Sequence, residues 1–382
     1  MIRRVLACSP WVFVTVFVVA CGFPHEMERA APLTGTCPAE GLQRVADVPT
    51  DTTQLHWYRA IEERDRRLAA RWCATVGSPE FRLEPTVSFP EWGVGQSLEV
   101  VSWNTFLGGG DLYRFLRDEL GLDCTTQRPA LEEGARPFVL LLQEVWRRDP
   151  SLPFVESSSI VPWTTDHGRP NADGPSIIAV AERCGLSFVY VPSARNGPDS
   201  GTRPSVDKGN AVLSTLLLSA PIALDLPIEG GRKVAVAATV RAPQGERVRL
   251  VSVHLDVAST LVRTLITGNQ TRARQASGVI DGLRKAERDG PSTAATVVGA
   301  DLNTWVGNET TLRLMWDAFP DSPAWDQLAT ALAGLPPDHM FFRSESSVPL
   351  TVESYGRIDD RYGSDHHGRR LRLIHTPVRP GN

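Results

Sequence analysis

Ala295-Thr296-Val297-Val298-Gly299-Ala300-Asp301-Leu302-Asn303 decides the reading of this chain, because a short apolar run rich in β-formers ends on a carboxylate and an amide. Runs of this length and composition form strands. Leu98 to Trp103 leads into Asn104, Phe138 to Leu142 leads into Gln143-Glu144, and Val248 to Val253 leads into His254 in the same way. A single strand-end carboxylate is more often a turn or helix cap than a ligand. In layered sheets, however, several such ends converge on one rim, where sites are usually built. Ser364-Asp365-His366 adds a further polar cluster.

Together these clusters supply carboxylates, amides and imidazoles, an inventory that fits metal-assisted phosphoester hydrolysis. A phosphodiester attacked by water develops charge on its nonbridging oxygens and on the leaving oxygen, and a hard divalent cation with oxygen ligands stabilises both. No Cys-x-x-Cys or His-Glu-x-x-His pattern competes for a zinc reading.

In order along the chain, the motifs are S-W-N at Ser102 to Asn104, L-Q-E at Leu142 to Glu144, and K-G-N-A-V-L-S at Lys208 to Ser214. S-V-H-L follows at Ser252 to Leu255, G-A-D-L-N at Gly299 to Asn303, D-H-M-F at Asp338 to Phe341, and S-D-H at Ser364 to His366. This ordered set resembles the endonuclease/exonuclease/phosphatase superfamily, which contains pancreatic-type deoxyribonuclease, the abasic-site endonucleases, neutral sphingomyelinases and inositol polyphosphate phosphatases. The resemblance runs from about Ser97 to about Thr376. It implies an α/β fold, a four-layer α/β/β/α sandwich of two packed β-sheets with outer helices. Periodicity alone reaches only a mixed α/β chain.

The resemblance also implies roles. Glu144 would anchor Mg²⁺, with Asn104 and Asp365 completing the site directly or through water, and Mn²⁺ would also suit oxygen-dominated ligation. His366 would be the general base or the phosphate-polarising group, its ring oriented by Asp338. His254 would contact the scissile phosphate from the other side, Asp301 would align or deprotonate water, and Asn303 would donate hydrogen bonds to the phosphate as its charge develops. Asn210, read as part of a glycine turn opening a strand, would lie near the phosphate. Arg195, in the loop from Pro192 to Pro204, would offer it a guanidinium. Asp338 departs from the family pattern, because Pro336-Pro337 stands where an apolar strand residue is usual.

Other polar residues carry blander readings. Gly108-Gly109-Gly110 reads as a flexible turn before the helical pattern Leu112 to Leu120. His367 doubles His366 without matching the motif, and Asp166-His167 and Asp359-Asp360 read as solvated surface. His56 falls in an amphipathic stretch, Thr52 to Trp72, that reads as a helix outside the catalytic domain.

The chain has 382 residues. Residues 1–20 carry Arg3-Arg4 and an apolar run from Val5 to Ala20, too short for a comfortable membrane span, and read as a signal peptide. Val18-Val19-Ala20-Cys21 resembles a bacterial lipobox, which would make Cys21 a lipid-modified membrane anchor; ordinary secretion is the alternative. Residues 21–95 then form a tether, 96–376 the catalytic domain, of a size suited to one unit, and 377–382 a tail. Cys37, Cys73, Cys124 and Cys184 allow three disulfide connectivities, and pairing Cys37 with Cys73 and Cys124 with Cys184 keeps each bridge within one segment. The formal charge of −4 becomes about −6 once Arg3 and Arg4 leave with a signal that contains no acids. No long basic run marks a dedicated duplex-binding face. The expected function is an exported, Mg²⁺-dependent phosphodiesterase acting on nucleic acid or a phospholipid head group, with no protein partner evident. The alternative is a non-catalytic lipoprotein that keeps the fold as a binding module.

Overall fold

A computed structural model describes residues 27–30, 53–60, 63–126, 128–150, 152, 175–195, 206–228, 231–257, 269–305, 307, 309–324, 328–331, 334–345 and 350–375. The strands are β1 (Met27–Ala30), β2 (His56–Ala60), β3 (Glu80–Arg82), β4 (Ser97–Asn104), β5 (Leu122–Asp123), β6 (Ala130–Leu131), β7 (Phe138–Arg148) and β8 (Ser187–Arg195). They continue with β9 (Val206–Ser214), β10 (Ser219–Asp225), β11 (Val234–Arg241), β12 (Arg247–His254), β13 (Ala295–Asp301), β14 (Asp338–Ser344), β15 (Leu350–Arg357) and β16 (Arg369–His375). The helices are α1 (Glu63–Cys73), α2 (Leu112–Leu120), α3 (Ile177–Arg183), α4 (Asn269–Asp289) and α5 (Thr310–Ala318).

Successive side chains of the strands enter different cores, and that alternation builds the layers. Leu98 and Val100 of β4 join Val248 and Leu250 of β12 in a central core, whereas Val101 and Trp103 face α2 and α3 and Val251 and Val253 face α4 and α5. One seven-stranded sheet has the order β1-β2-β10-β11-β12-β13-β14, and the other, also of seven strands, β15-β16-β4-β7-β9-β8-β3. The result is a four-layer α/β/β/α sandwich, as the motifs imply. Each sheet contains a parallel pair that ends at the site: Asn104 is opposite Gln143 on β4 and β7, and His254 is opposite Asp301 on β12 and β13. Parallel pairing sends these carboxyl ends to the same rim.

Below that rim the sheets touch closely. A Cβ on Gly299 would meet Ser102 Cβ at 2.6 Å and Leu141 Cδ1 at 2.9 Å, so a residue without a side chain is required there. Gln143 Nε2 donates to Ser252 Oγ at 3.0 Å, and Ser252 Oγ donates to the Leu142 carbonyl at 2.8 Å, which ties the two sheets by a polar seam.

Three expectations are corrected. The stretch from Thr52 to Trp72 is not one helix: residues 56–60 form β2, parallel to β10 with His56 opposite Ile222, and the helix begins only at Glu63. Trp57 enters the central core and Tyr58 the core under α4, the two-residue period of a strand. Gly209 lies inside β9 rather than in a turn, and a Cβ there would meet the Val191 carbonyl oxygen at 2.0 Å. Gly108-Gly109-Gly110 does lie in a turn, but not a loose one: Gly108 and Gly110 lie against Trp146 and Trp103, so the run packs tightly on the domain.

Cys124 and Cys184 form a disulfide with Cα atoms 4.9 Å apart. Cys73 is also disulfide-bonded; Cys37, its expected partner, lies outside the described residues. So do the signal segment 1–20, Cys21, Asp166-His167 and residues 377–382. Among the described residues, no helix is long and apolar enough to cross a membrane.

Candidate active site

Asp301 Oδ2 is the point on which the strand ends converge. Asn104 Nδ2 donates to it at 2.8 Å, His254 Nε2 lies 3.7 Å away and His366 Nε2 4.0 Å away. His254 Nε2 is also 3.8 Å from Glu144 Oε1, and His366 Nε2 is 3.8 Å from Asp365 Oδ1. Asp338 Oδ2 holds His366 Nδ1 at 2.8 Å. The structure therefore gathers Asn104, Glu144, His254, Asp301, Asp338, Asp365 and His366 at one rim. Asn303 stands beside them, its backbone N–H donating to Asp301 Oδ1 at 2.9 Å and its amide to the Leu255 carbonyl at 2.9 Å.

Local backbone explains how these side chains arrive. Gln143 continues the inward parity of Val139 and Leu141, so in an unbroken strand Glu144 would face the helices with Leu142. Instead, the pairing of β7 with β9 shifts register between Leu142 and Val145, and Glu144 adopts φ 55°. This bulge re-aims the carboxylate toward the cleft, at the cost of a backbone region that non-glycine residues rarely occupy. Asn303 makes a similar turn at φ 52°, a conformation that asparagine tolerates better than most residues. The prolines before Asp338 do not disturb it, because they precede the strand: Asp338 pairs with Asp301, and the Pro337 carbonyl accepts from Leu302 N at 2.9 Å. Ser364 Oγ donates to the Asn104 carbonyl at 2.7 Å and accepts from His366 N at 3.0 Å, docking the Ser364-Asp365-His366 loop on the end of β4. Trp103 Nε1 reinforces that docking by donating to the His366 carbonyl at 3.2 Å.

Burial sets the electrostatics. Desolvation pushes Asp301 up to about 7, with the nearby Asp338 charge adding to the effect. Burial pulls His366 down, but Asp338, Asp301 and Asp365 outweigh it and raise the imidazole to about 10. His254 moves the opposite way, held well below the usual histidine value by burial and then by the ammonium groups of Lys233 and Lys208. Asp365 is raised by burial and, more weakly, by repulsion from Glu144.

The oxygens of Asn104, Glu144 and Asp365 fit a hard divalent cation. Asp365 Oδ1 is buried without a hydrogen-bond partner, and its repulsion from Glu144 is the kind that a bound cation relieves. Among the described residues, Asp301, Asp338 and His366 also place ligand-type atoms within 4.8 Å of one another. The close Asp338–His366 hydrogen bond marks that group as a carboxylate–imidazole pair.

Arg195 is not brought to the cleft. It is buried at the end of β8, with Nη1 donating to the Thr75 carbonyl at 2.9 Å, because the N-terminal segment packs over it. Asn210 is buried at the seam between the sheets, where Nδ2 donates to the Val234 carbonyl at 2.8 Å. His367 stays apart from the site: Nδ1 faces the Ile358 carbonyl and Nε2 accepts from Arg361 Nε at 2.9 Å. Sequence reading missed Lys233, whose ammonium lies 3.3 Å from His254 Nε2. Only a basic pair after Gly230-Gly231 marks its position in the sequence.

No protein-family model matches the sequence, and no curated protein matches it. Solved structures similar to this chain include an endonuclease/exonuclease/phosphatase from Beutenbergia cavernae, at 18% identity and TM-score 0.47, covering 74% of this chain and 72% of that one. The human Nocturnin catalytic domain with bound sulfate is similar at 14% identity and TM-score 0.48, covering 78% and 98%. An endonuclease/exonuclease/phosphatase family protein from Leptotrichia buccalis is similar at 12% identity and TM-score 0.45, covering 72% and 99%.

Proposed function

We propose that this chain hydrolyses phosphodiesters with the help of a divalent cation, Mg²⁺ being the natural choice. The observation that carries the reading is the convergence of two imidazoles, an asparagine and a ring of carboxylates around Asp301 Oδ2. Glu144, Asn104 and Asp365 would hold the cation, which supplies charge to the nonbridging and leaving oxygens. Asp301, whose buried carboxyl holds its proton more tightly than a solvated one, takes the proton of the attacking water. His366, kept cationic by its carboxylates and oriented by Asp338, donates from Nε2 to a nonbridging oxygen, and Asn303 has a further amide proton for the same charge.

The substrate is nucleic acid or a phospholipid head group. Purified mature protein incubated with Mg²⁺ or Mn²⁺ and DNA, RNA, sphingomyelin, phosphoinositides or bis-p-nitrophenyl phosphate tests the reading. Cation-dependent release of product from at least one is expected. Absence of turnover on all of them leaves the binding module in its place.

A further inference from the structure

Lys233 stands just before β11 and approaches His254 at Nε2, the ring nitrogen that also lies 3.7 Å from Asp301 Oδ2 and 3.8 Å from Glu144 Oε1. Its side chain is half-buried, and its ammonium meets His254 Nε2 at 3.3 Å. Among the described residues no carboxylate forms a salt bridge with it. An ammonium has only donors, so a ring nitrogen bonded to it must accept. The neutral ring therefore carries its proton on Nδ1, and Nε2 offers no hydrogen to a substrate while Lys233 holds it. That leaves no hydrogen at Nε2 for the phosphate contact expected of His254.

A partly desolvated cation whose hydrogen-bond partner is a neutral ring has no direct ion pair to offset its loss of water. The surrounding backbone holds it there. Arg232, buried beside it, donates from Nε to Asp225 Oδ1 at 2.8 Å and from Nη1 to the Pro192 carbonyl at 2.9 Å. On the other side, the Val234 carbonyl accepts from Asn210 Nδ2 at 2.8 Å, and the Lys233 carbonyl itself accepts from Leu226 N at 3.1 Å. The ammonium is thus presented from fixed main chain. Lys208 adds a second positive charge near His254, so the cleft has a basic wall here and an acidic wall at Glu144, Asp301 and Asp365. An anion against the ammonium groups, with a cation between it and the carboxylates, would compensate both walls.

We propose that Lys233 is a substrate-binding residue, its ammonium taking a nonbridging oxygen of the phosphodiester, with His254 as the neutral ring that positions it before substrate arrives. The inference rests on the phosphodiesterase reading. It assigns the basic wall to phosphate recognition and leaves the acidic wall to the cation.

The test compares the full mature chain with Lys233→Met and Lys233→Arg. Steady-state hydrolysis of bis-p-nitrophenyl phosphate with Mg²⁺ gives kcat and KM, and calorimetric titration with inorganic phosphate gives an affinity that needs no turnover. Lys233→Met should raise both KM and the phosphate Kd by about tenfold or more, the worth of a charge-assisted hydrogen bond, with kcat within about threefold of wild type. Lys233→Arg, which keeps the charge, should recover most of the affinity. If Lys233→Met lowers Tm, Lys233→Gln replaces it in the comparison. Unchanged KM and Kd, or a fall in kcat with phosphate affinity intact, would overturn the proposal and leave Lys233 as a support for the imidazole. A wild-type protein that binds phosphate through Lys233 but turns over no diester would defeat the hydrolase reading alone. One that does not bind phosphate would defeat the Lys233 assignment as well.

Discussion

Glu144 combines a rarely occupied backbone conformation with a carboxylate aimed into the cleft, the pairing found where strain is retained for function. Glu144→Gln removes the charge and keeps the shape. It should abolish activity at ordinary Mg²⁺ while leaving the circular dichroism spectrum unchanged; full activity in this variant would remove Glu144 from the cation site. The imidazoles can be separated in the same manner. His366→Ala should lower kcat by about 10² or more, because its ring adjoins Asp301, whereas His254→Ala should chiefly raise KM, as loss of the lysine that it positions does. His367→Ala should have a much smaller effect, since both of its ring nitrogens are engaged with Arg361 and the Ile358 carbonyl. An essential His367 beside a dispensable His366 would shift the motif by one residue.

At β14, a pH effect separates stability from catalysis. His339 is buried, shares a hydrogen with Thr304 Oγ1 at 2.9 Å, and packs beside Trp316 and Phe341. Burial holds its imidazole down at about 4, against 6.5 for a solvated ring. Between those values the unfolded chain takes up a proton that the folded chain refuses. Stability from this group is therefore fully present above about pH 6.5 and lost as pH falls toward 4, by roughly 3 kcal/mol at most. Urea unfolding at several pH values should show a shallower acid loss for His339→Gln than for wild type. An equal slope in both would place the acid sensitivity elsewhere.

The β elements around the site were legible because their apolar runs are long and their polar ends distinct. Helix α2 was legible from its periodic pattern over Leu112 to Leu120. The strand at His56 was not, since five residues of mixed character become a strand only beside β10, a neighbour far away in sequence. The bulge at Glu144 was equally hidden, because glutamate has no preference for a positive φ. Arg195 was misplaced for the same long-range reason: only the packing of residues near Thr75 shows where its guanidinium goes.

For the whole molecule, export remains an expectation carried by Val18-Val19-Ala20-Cys21, and we propose that Cys21 is acylated. Buried methylenes from more than one acyl chain would hold the protein at a membrane, whereas an unmodified mature chain with a charge near −6 should be released as soluble protein. Radiolabelled palmitate in a bacterial host should label the native chain and leave Cys21→Ser unlabelled. A soluble, unlabelled native protein would mean plain secretion.

His254, Asp301 and Asp338 come from one sheet, while Asn104 and Glu144 come from the other, with Asp365 and His366 in the loop before β16. Neither sheet owns a complete site. A cation or phosphate caught between them therefore acts as a removable cross-link between the two halves of the sandwich, and its affinity includes the free energy of keeping those halves docked. At a ligand concentration of about 100 Kd this linkage adds roughly 2.7 kcal/mol to folding. Thermal unfolding with and without Mg²⁺ should accordingly show a higher Tm in its presence, and Glu144→Gln should erase most of that increment even in a variant whose metal-free Tm is unchanged.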